Sequence, residues 1–463
     1  MSPRPGMVSE RPIPGEPRPY EFPATVRATL PNGLRVIVTP MAGRELIAAS
    51  LAVRAGAADE PAAIAGATVL AARGLTEGTE VRDAIALTEA FERLGASMHA
   101  EAGWDAISAG LDVPASRLEP ALELLAEVVR RPSFPSSEVE RLRDERLNDL
   151  IQAKADPRRR ADEAFVSSIY APSSPYRRPA GGTAETVSRL TSADLRAIHA
   201  SAYGPAAAAL VVAGDVDPDA VLAIASRLFG DWTGGSGTVT APDSTSAVDN
   251  RFVRVVHRPG AVQSEIRIGH PGIARRHPDY HAVSVMSMIL GGLFNSRLMS
   301  NLREAKGYTY GAHAGFDLRR GAGPFSARAA VNTEVTVPSI REFLLELGRI
   351  REAPPTEDEL RAARNYLVGV FPLRFETPGP VAGWLGGLFI HDLPDDEPLH
   401  YRSAIEAVTA DDVLRVARAH VHPERCAIVL VGDHDKFGAD LEAAGFAAVD
   451  VVSDEPEAPG QDA

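Results

Sequence analysis

The feature that most constrains this chain is that it repeats itself. The segment "LTSADLRAIHASAYGPAAAALVVAGDVD" returns later as "VTADDVLRVARAHVHPERCAIVLVGDHD". Thr191, Asp194, Pro205, Gly214, Asp215 and Asp217 recur as Thr409, Asp412, Pro423, Gly432, Asp433 and Asp435, at a constant spacing of 218. A period that long is no solenoid unit and means two similar domains. Between them, "GDWTGGSGTVTAPDSTSAVDN" is rich in Gly, Ser and Thr and reads as a linker. The chain therefore divides into a flexible arm (1–27), a first domain (28–232), a linker (233–250), a second domain (251–445) and an acidic tail (446–463).

Each copy spells out its local structure. Thr191 and Thr409 stand three residues before Asp194 and Asp412, a capping-box spacing that starts a helix. A helix stop before Pro, an apolar strand and a Gly-Asp turn follow. "VRATLPNGLRVIVTP" places an Asn-Gly turn between β-rich runs, a hairpin signal, and "LIAASLAVRAG" is a further strand. Amphipathic stretches at 116–131, 136–154, 338–352 and 356–370 lie between. Strands, then helices, then strands predict an α+β fold of two homologous halves, each a mainly antiparallel sheet covered by helices.

Composition excludes several classes of function. A net charge of −14 is wrong for a nucleic-acid or anionic-membrane surface, which needs a basic face. One cysteine, Cys426, within the apolar run "CAIVLVG", rules out a disulfide framework and reads as a buried inert thiol. The Pro-rich N-terminus lacks the apolar core of a secretory signal, and no run of about 18 apolar residues could span a membrane. A cytoplasmic protein is expected.

One stretch carries a chemical signature: "GGLFNSRLMSNLREAKGYTYGAHAGF" at 291–316. Together with "LPNGLRVIV" and the two Pro…Gly-Asp endings, it resembles the insulinase/pitrilysin metallopeptidases, a group that includes the mitochondrial processing peptidases. The similarity runs over residues 28–440, and the Leu-Arg-Glu-x-x-Gly-x-x-Tyr element is its most specific part. The resemblance implies two halves closing like a clam around a chamber. It also implies an inverted zinc motif, H-x-x-E-H, in the first half of an active chain, with a second Glu some eighty residues on. The opposite half is expected to contribute an Arg and a Tyr, seven residues apart, that hold substrate.

Laid on "GATVLAARGLTEGT" (66–79), the family's motif fits without gaps and finds none of its residues. The first His falls on Val69, the Glu on Ala72 and the second His on Arg73, while the distant Glu falls near Asn148–Asp149. Val and Ala offer no lone pair, and Arg brings a fixed positive charge. The chain is therefore expected to hold no metal of its own. Its other half keeps the Arg/Tyr spacing in Arg303 and Tyr310; Tyr308, the rival, is five residues away. A Tyr hydroxyl can donate to an oxyanion, and Arg can grip a carbonyl or carboxylate with two donors. The competing reading pairs Arg303 with Glu304 or Glu334 and makes Tyr310 a sheet aromatic.

Other groups read as structural. His277 and His281 flank a helix start, His420 and His422 a helix end, and the paired aspartates after Gly214 and Gly432 suit turns. Phe294, Tyr308, Phe316 and Phe325 fit either a chamber lining or a core. Residues 49–55 are expected to form the edge strand that takes a peptide by strand addition in active relatives.

These readings converge on a non-zinc subunit of a two-chain metallopeptidase. A homologous partner chain would carry H-x-x-E-H and Zn²⁺, and Arg303 and Tyr310 would act in trans on an unfolded peptide. Alone, the chain is expected to cut nothing. The acidic net charge favours basic peptides, although total charge says little about an inner wall. The alternative is an inactive structural or peptide-binding scaffold of the same fold.

Overall fold

The computed structural model describes residues 19–235 and 240–453. The first sheet contains β1 (Val26–Thr29), β2 (Arg35–Pro40), β3 (Leu46–Val53), β4 (Ser97–Ala102), β5 (Ile107–Pro114) and β6 (Ala208–Gly214). The second contains β7 (Phe252–His257), β8 (Gln263–Pro271), β9 (Ala312–Phe316), β10 (Pro324–Asn332), β11 (Ala427–Gly432) and β12 (Val449–Ser453). Their orders are β1-β2-β6-β3-β5-β4 and β12-β7-β11-β8-β10-β9. Five strands correspond one to one. Pairing is antiparallel except at β2–β6, β7–β11 and β7–β12. The α+β class and the duplicated halves hold.

Thr191, Asp194 and Asp215 do the same work as their repeats. Thr191 and Asp194 exchange backbone-to-side-chain hydrogen bonds at 2.9 and 3.4 Å, and Thr409 and Asp412 at 3.0 and 3.1 Å. Both are complete capping boxes. Asp215 accepts from Gly43 N at 3.1 Å and Asp433 from Gly260 N at 3.0 Å, so these aspartates tie neighbouring turns together. In the Asn-Gly turn, Gly33 has φ 92°, a conformation glycine adopts freely, and Leu30 N donates to Leu34 O at 2.9 Å.

Two of the expected boundaries need correction. The arm was drawn to residue 27, yet Phe22 is buried with its ring 5.0 Å from Phe375, and β1 begins at Val26. The tail was drawn from 446, yet Val449–Ser453 pairs with β7. Residues 1–18 and 454–463 of these segments lie outside the described residues. The described part of the linker lies along the first half: Ala171 N donates to Thr245 O at 2.9 Å, Ala247 N to Ile169 O at 2.8 Å, and Ser174 Oγ to Asp243 O at 2.6 Å.

A further correction concerns the strand at 49–55. Residues 49–53 belong to β3, which is hydrogen-bonded on both sides by β5 and β6. The free edge at that end of the sheet is β4, whose exposure alternates along its length.

The halves also trade helices. The Pro157–Ile169 helix of the first half packs on β8 and β11, burying Ala161, Ala164, Phe165 and Ile169 against Val256, Val429 and Val431. The Pro378–Ile390 helix of the second half packs on β3 and β6, burying Val381, Leu385, Leu388 and Phe389 against Ala48, Ala52, Ala209 and Val211. Proline opens both helices at the position where its missing N–H costs nothing. A sheet apolar on both faces must be covered twice, and each half supplies the other's second cover. Arg320 adds a polar clasp. Its side chain meets Asp59 at 2.8 Å, and its backbone N–H donates to Asp105 at 2.7 Å.

Candidate functional site

The Ala67–Gly74 helix carries the positions of the lost motif. Gly66 precedes it with φ 99°, and a Cβ there would lie 2.8 Å from Gly181 O, so only glycine fits. Glu60 holds the helix start: Oε1 accepts from Gly66 N at 2.7 Å and Oε2 from Thr68 N at 2.9 Å. An anion there suits the orphan N–H groups and the positive helix end. Burial pushes the Glu60 carboxyl up, and those N–H groups and Arg178 pull against the rise. Sequence reading missed this clamp; an acidic residue just upstream of a helix start was its signal.

Zinc does not fit the three motif positions. Val69 is half-buried, Ala72 is buried, and Arg73 donates to Glu145 Oε2 at 2.8 Å. Glu145 also accepts from Arg141 at 2.6 Å, and Arg141 reaches Glu138 at 2.8 Å and Glu77 at 2.6 Å. Desolvation raises the Glu145 carboxyl, but Arg141 and Arg73 outweigh it and hold the group below the ordinary carboxylate range. A guanidinium thus supplies the positive charge at this spot. The expected distant partner is elsewhere: Asp149 is engaged by Arg146 and Arg159.

In the second half, Met299–Ala305 is a widened helix in which Lys306 N donates to Asn301 O at 3.0 Å, skipping five residues. Such wide turns are rare and concentrate at functional sites. Arg303 lies on it, with its guanidinium 4.9 Å from the Phe294 ring and only a 3.8 Å approach to Glu304. Glu334 takes no part. Tyr310 stands at the next turn, 92% exposed, with no hydrogen bond among the described residues. Its neighbour Thr309 pins that turn, donating to Ala330 O of β10 at 2.7 Å and accepting from Gly311 N at 3.1 Å. Tyr310 therefore precedes β9 and is not a sheet-core aromatic; Tyr308 is half-buried. Phe325 is core, Phe316 packs on it at 4.8 Å, and Phe294 is 69% exposed. The Phe294–Arg303 contact spans nine residues and had no sequence signal.

The histidines regroup. His277 and His420 both face Asp279: His420 Nε2 lies 2.7 Å from its carboxylate and His277 Nδ1 3.9 Å away. Arg415 takes the other carboxylate oxygen at 2.8 Å, and an ion-pair cluster accounts for the arrangement. His281 lies against Tyr280 and Tyr401, and His422 N donates to His270 Nε2 at 3.0 Å. Cys426 is buried, and burial pushes its thiol up to about 12. Among the described residues no helix is long and apolar enough to cross a membrane.

Comparison with known proteins follows the two halves. A family model described as "Insulinase (Peptidase family M16)" matches residues 36–179, and one described as "Peptidase M16 inactive domain" matches residues 189–367. The chain is 28% identical over 409 residues to an uncharacterized zinc protease of Mycobacterium bovis, covering 88% of this chain and 93% of the relative. It is 22% identical over 372 residues to a non-peptidase homolog of Helicobacter pylori, covering 80% and 85%. A solved peptidase M16 inactive domain from Pseudomonas fluorescens superposes with a TM-score of 0.83 at 26% identity, covering 88% of this chain and 98% of that one.

Proposed function

Given that this chain belongs to the insulinase family, peptidase family M16, we propose that it is the zinc-less subunit of a two-chain peptidase. A homologous partner bearing H-x-x-E-H supplies the metal chemistry. This chain binds and orients an unfolded peptide through Arg303 and Tyr310. One contrast carries the reading: the first half has Val69 and an ion-paired Arg73 at the two motif histidines and Ala72 at the motif glutamate, while the second half holds out a cation and a phenol. Arg303 offers two N–H donors to a carbonyl or carboxylate of the substrate. Tyr310 offers a hydroxyl to the oxygen that gains charge as the peptide bond is attacked. Thr309 fixes the backbone from which that donor projects.

The test is reconstitution with a homologous H-x-x-E-H chain and a quenched peptide. Hydrolysis should need both chains and should fall with Tyr310→Phe. Hydrolysis by this chain alone, with stoichiometric metal, would refute the reading. The scaffold alternative draws support from the missing donors and from the non-peptidase name of the Helicobacter pylori relative. It requires turnover to be unchanged in Tyr310→Phe.

A further inference from the structure

The wall beside Tyr310 has a charge opposite to that of the chain as a whole. His313 on β9 lies across from Arg328 on β10, and Arg328 across from Arg267 on β8. Side chains aligned across strands in this way share one face of the sheet. It is the face that receives the exchanged Pro157–Ile169 helix, because Arg267 reaches Asp162 of that helix at 2.6 Å. Arg158, Glu265, Arg267, Gly311, His313 and Arg328 line a cleft of about 190 Å³. Gly311 is the residue after Tyr310, so the cleft adjoins the pinned turn.

The cations there are unevenly matched. Arg267 is buried and already engages two carboxylates, Asp162 at 2.6 Å and Glu265 at 2.8 Å. Arg158 and Arg328 are exposed, and neither side chain makes an ion pair or hydrogen bond among the described residues. The cleft lining thus holds three guanidinium groups and one carboxylate, Glu265, which Arg267 already engages. A guanidinium fork matches a planar two-oxygen anion, and a half-enclosed cleft strengthens that attraction over its value in water. The volume suits a side chain or a chain end, not a folded partner.

We propose that this cleft is a carboxylate-binding subsite for the peptide held by Arg303 and Tyr310, with Arg158 and Arg328 as the anion's partners and His313 at its edge. It rests on the two-chain reading for the choice of peptide as ligand. The subsite selects a peptide bearing an Asp or Glu side chain, or a free C-terminus, near the gripped bond. This reverses the preference for basic peptides that the net charge suggested.

The experiment uses the full-length chain alone and fluorescence anisotropy with four versions of one short unstructured peptide: Glu or Gln at one position, each as free acid or amide. Removing the recognised carboxylate should weaken binding about tenfold, and the arm that loses affinity identifies the side chain or the terminus as its source. The Arg158→Gln/Arg328→Gln double variant should bind all four peptides alike. Arg328→Lys should keep part of the discrimination, which separates lost charge from lost fold. Equal binding of the four peptides to the unaltered chain, or undiminished discrimination in the double variant, overturns the subsite. Binding is read without a partner chain, so this failure is distinct from failure of the reconstituted hydrolysis.

Discussion

Arg73 donates to Glu145 at 2.8 Å from the helix position at which the family motif carries its second histidine. Arg141 holds the other oxygen of that carboxylate at 2.6 Å, so Arg73 is the second guanidinium on it.

That pair should nevertheless add little to stability. Both side chains are over two-fifths exposed, at 41% and 44%. Exposed pairs are worth about 0.2–1 kcal/mol. Arg73→Met should lower stability by no more than that in urea unfolding, and neither form should retain zinc after dialysis when assayed by elemental analysis. Stoichiometric zinc in the unaltered chain would contradict the account of the helix.

Tyr310→Phe separates function from folding cleanly. The hydroxyl has no partner among the described residues and the ring is exposed, so the unfolding midpoint should not move. In the reconstituted two-chain enzyme, loss of one oxyanion donor should lower kcat about 100-fold or more. A fall in kcat together with an altered melting temperature would point to a structural role for the residue.

The helix exchange predicts a shared fate for the two halves. Phe165→Ala removes a buried ring from the contact of the first half's helix with the second sheet, and Phe389→Ala does the reverse. Each should cost about 3–5 kcal/mol. Either substitution should lower a single calorimetric transition. Two separated transitions, only one of them shifted, would show that the halves unfold independently.

Two histidines, His270 buried and His391 half-buried, set a pH window. Burial pushes His270 and His391 down to about 4 from an ordinary 6.5. The unfolded chain then binds more protons than the folded one between those values, so stability is full above about 6.5 and drains as pH falls toward 4. Each shift corresponds to roughly 3 kcal/mol. Chemical denaturation at pH 7 and pH 5 should show the loss, and His270→Gln should flatten it. An unchanged slope in that variant would remove His270 from the account.

What was readable in the sequence is what is local. Capping boxes, the Asn-Gly turn and the duplicated Asp turns need only neighbours a few residues away, and all stand as read. Strand order is not local. Leu46–Val53 reads the same whether it is central or at an edge, and only pairing with β5 and β6 decides. Amphipathicity shows that the Pro157–Ile169 helix must bury a face but cannot say on whose sheet. The loss at Val69, Ala72 and Arg73 was visible because it is a matter of residue type. The family's distant Glu position was placed near 148–149, whereas the carboxylate that meets Arg73 is Glu145, about one helical turn earlier; side-chain reach depends on the rotation between two packed helices and cannot be read from spacing.

The crossed helices also dictate an order of assembly. During synthesis the first sheet emerges with β3 and β6 complete at Gly214, yet the helix that shields their second face ends at Ile390. For that whole interval the nascent chain carries a bare greasy surface. Maturation is therefore bound to the arrival of the late segment, and a ribosome that stops short of it releases a product primed to aggregate.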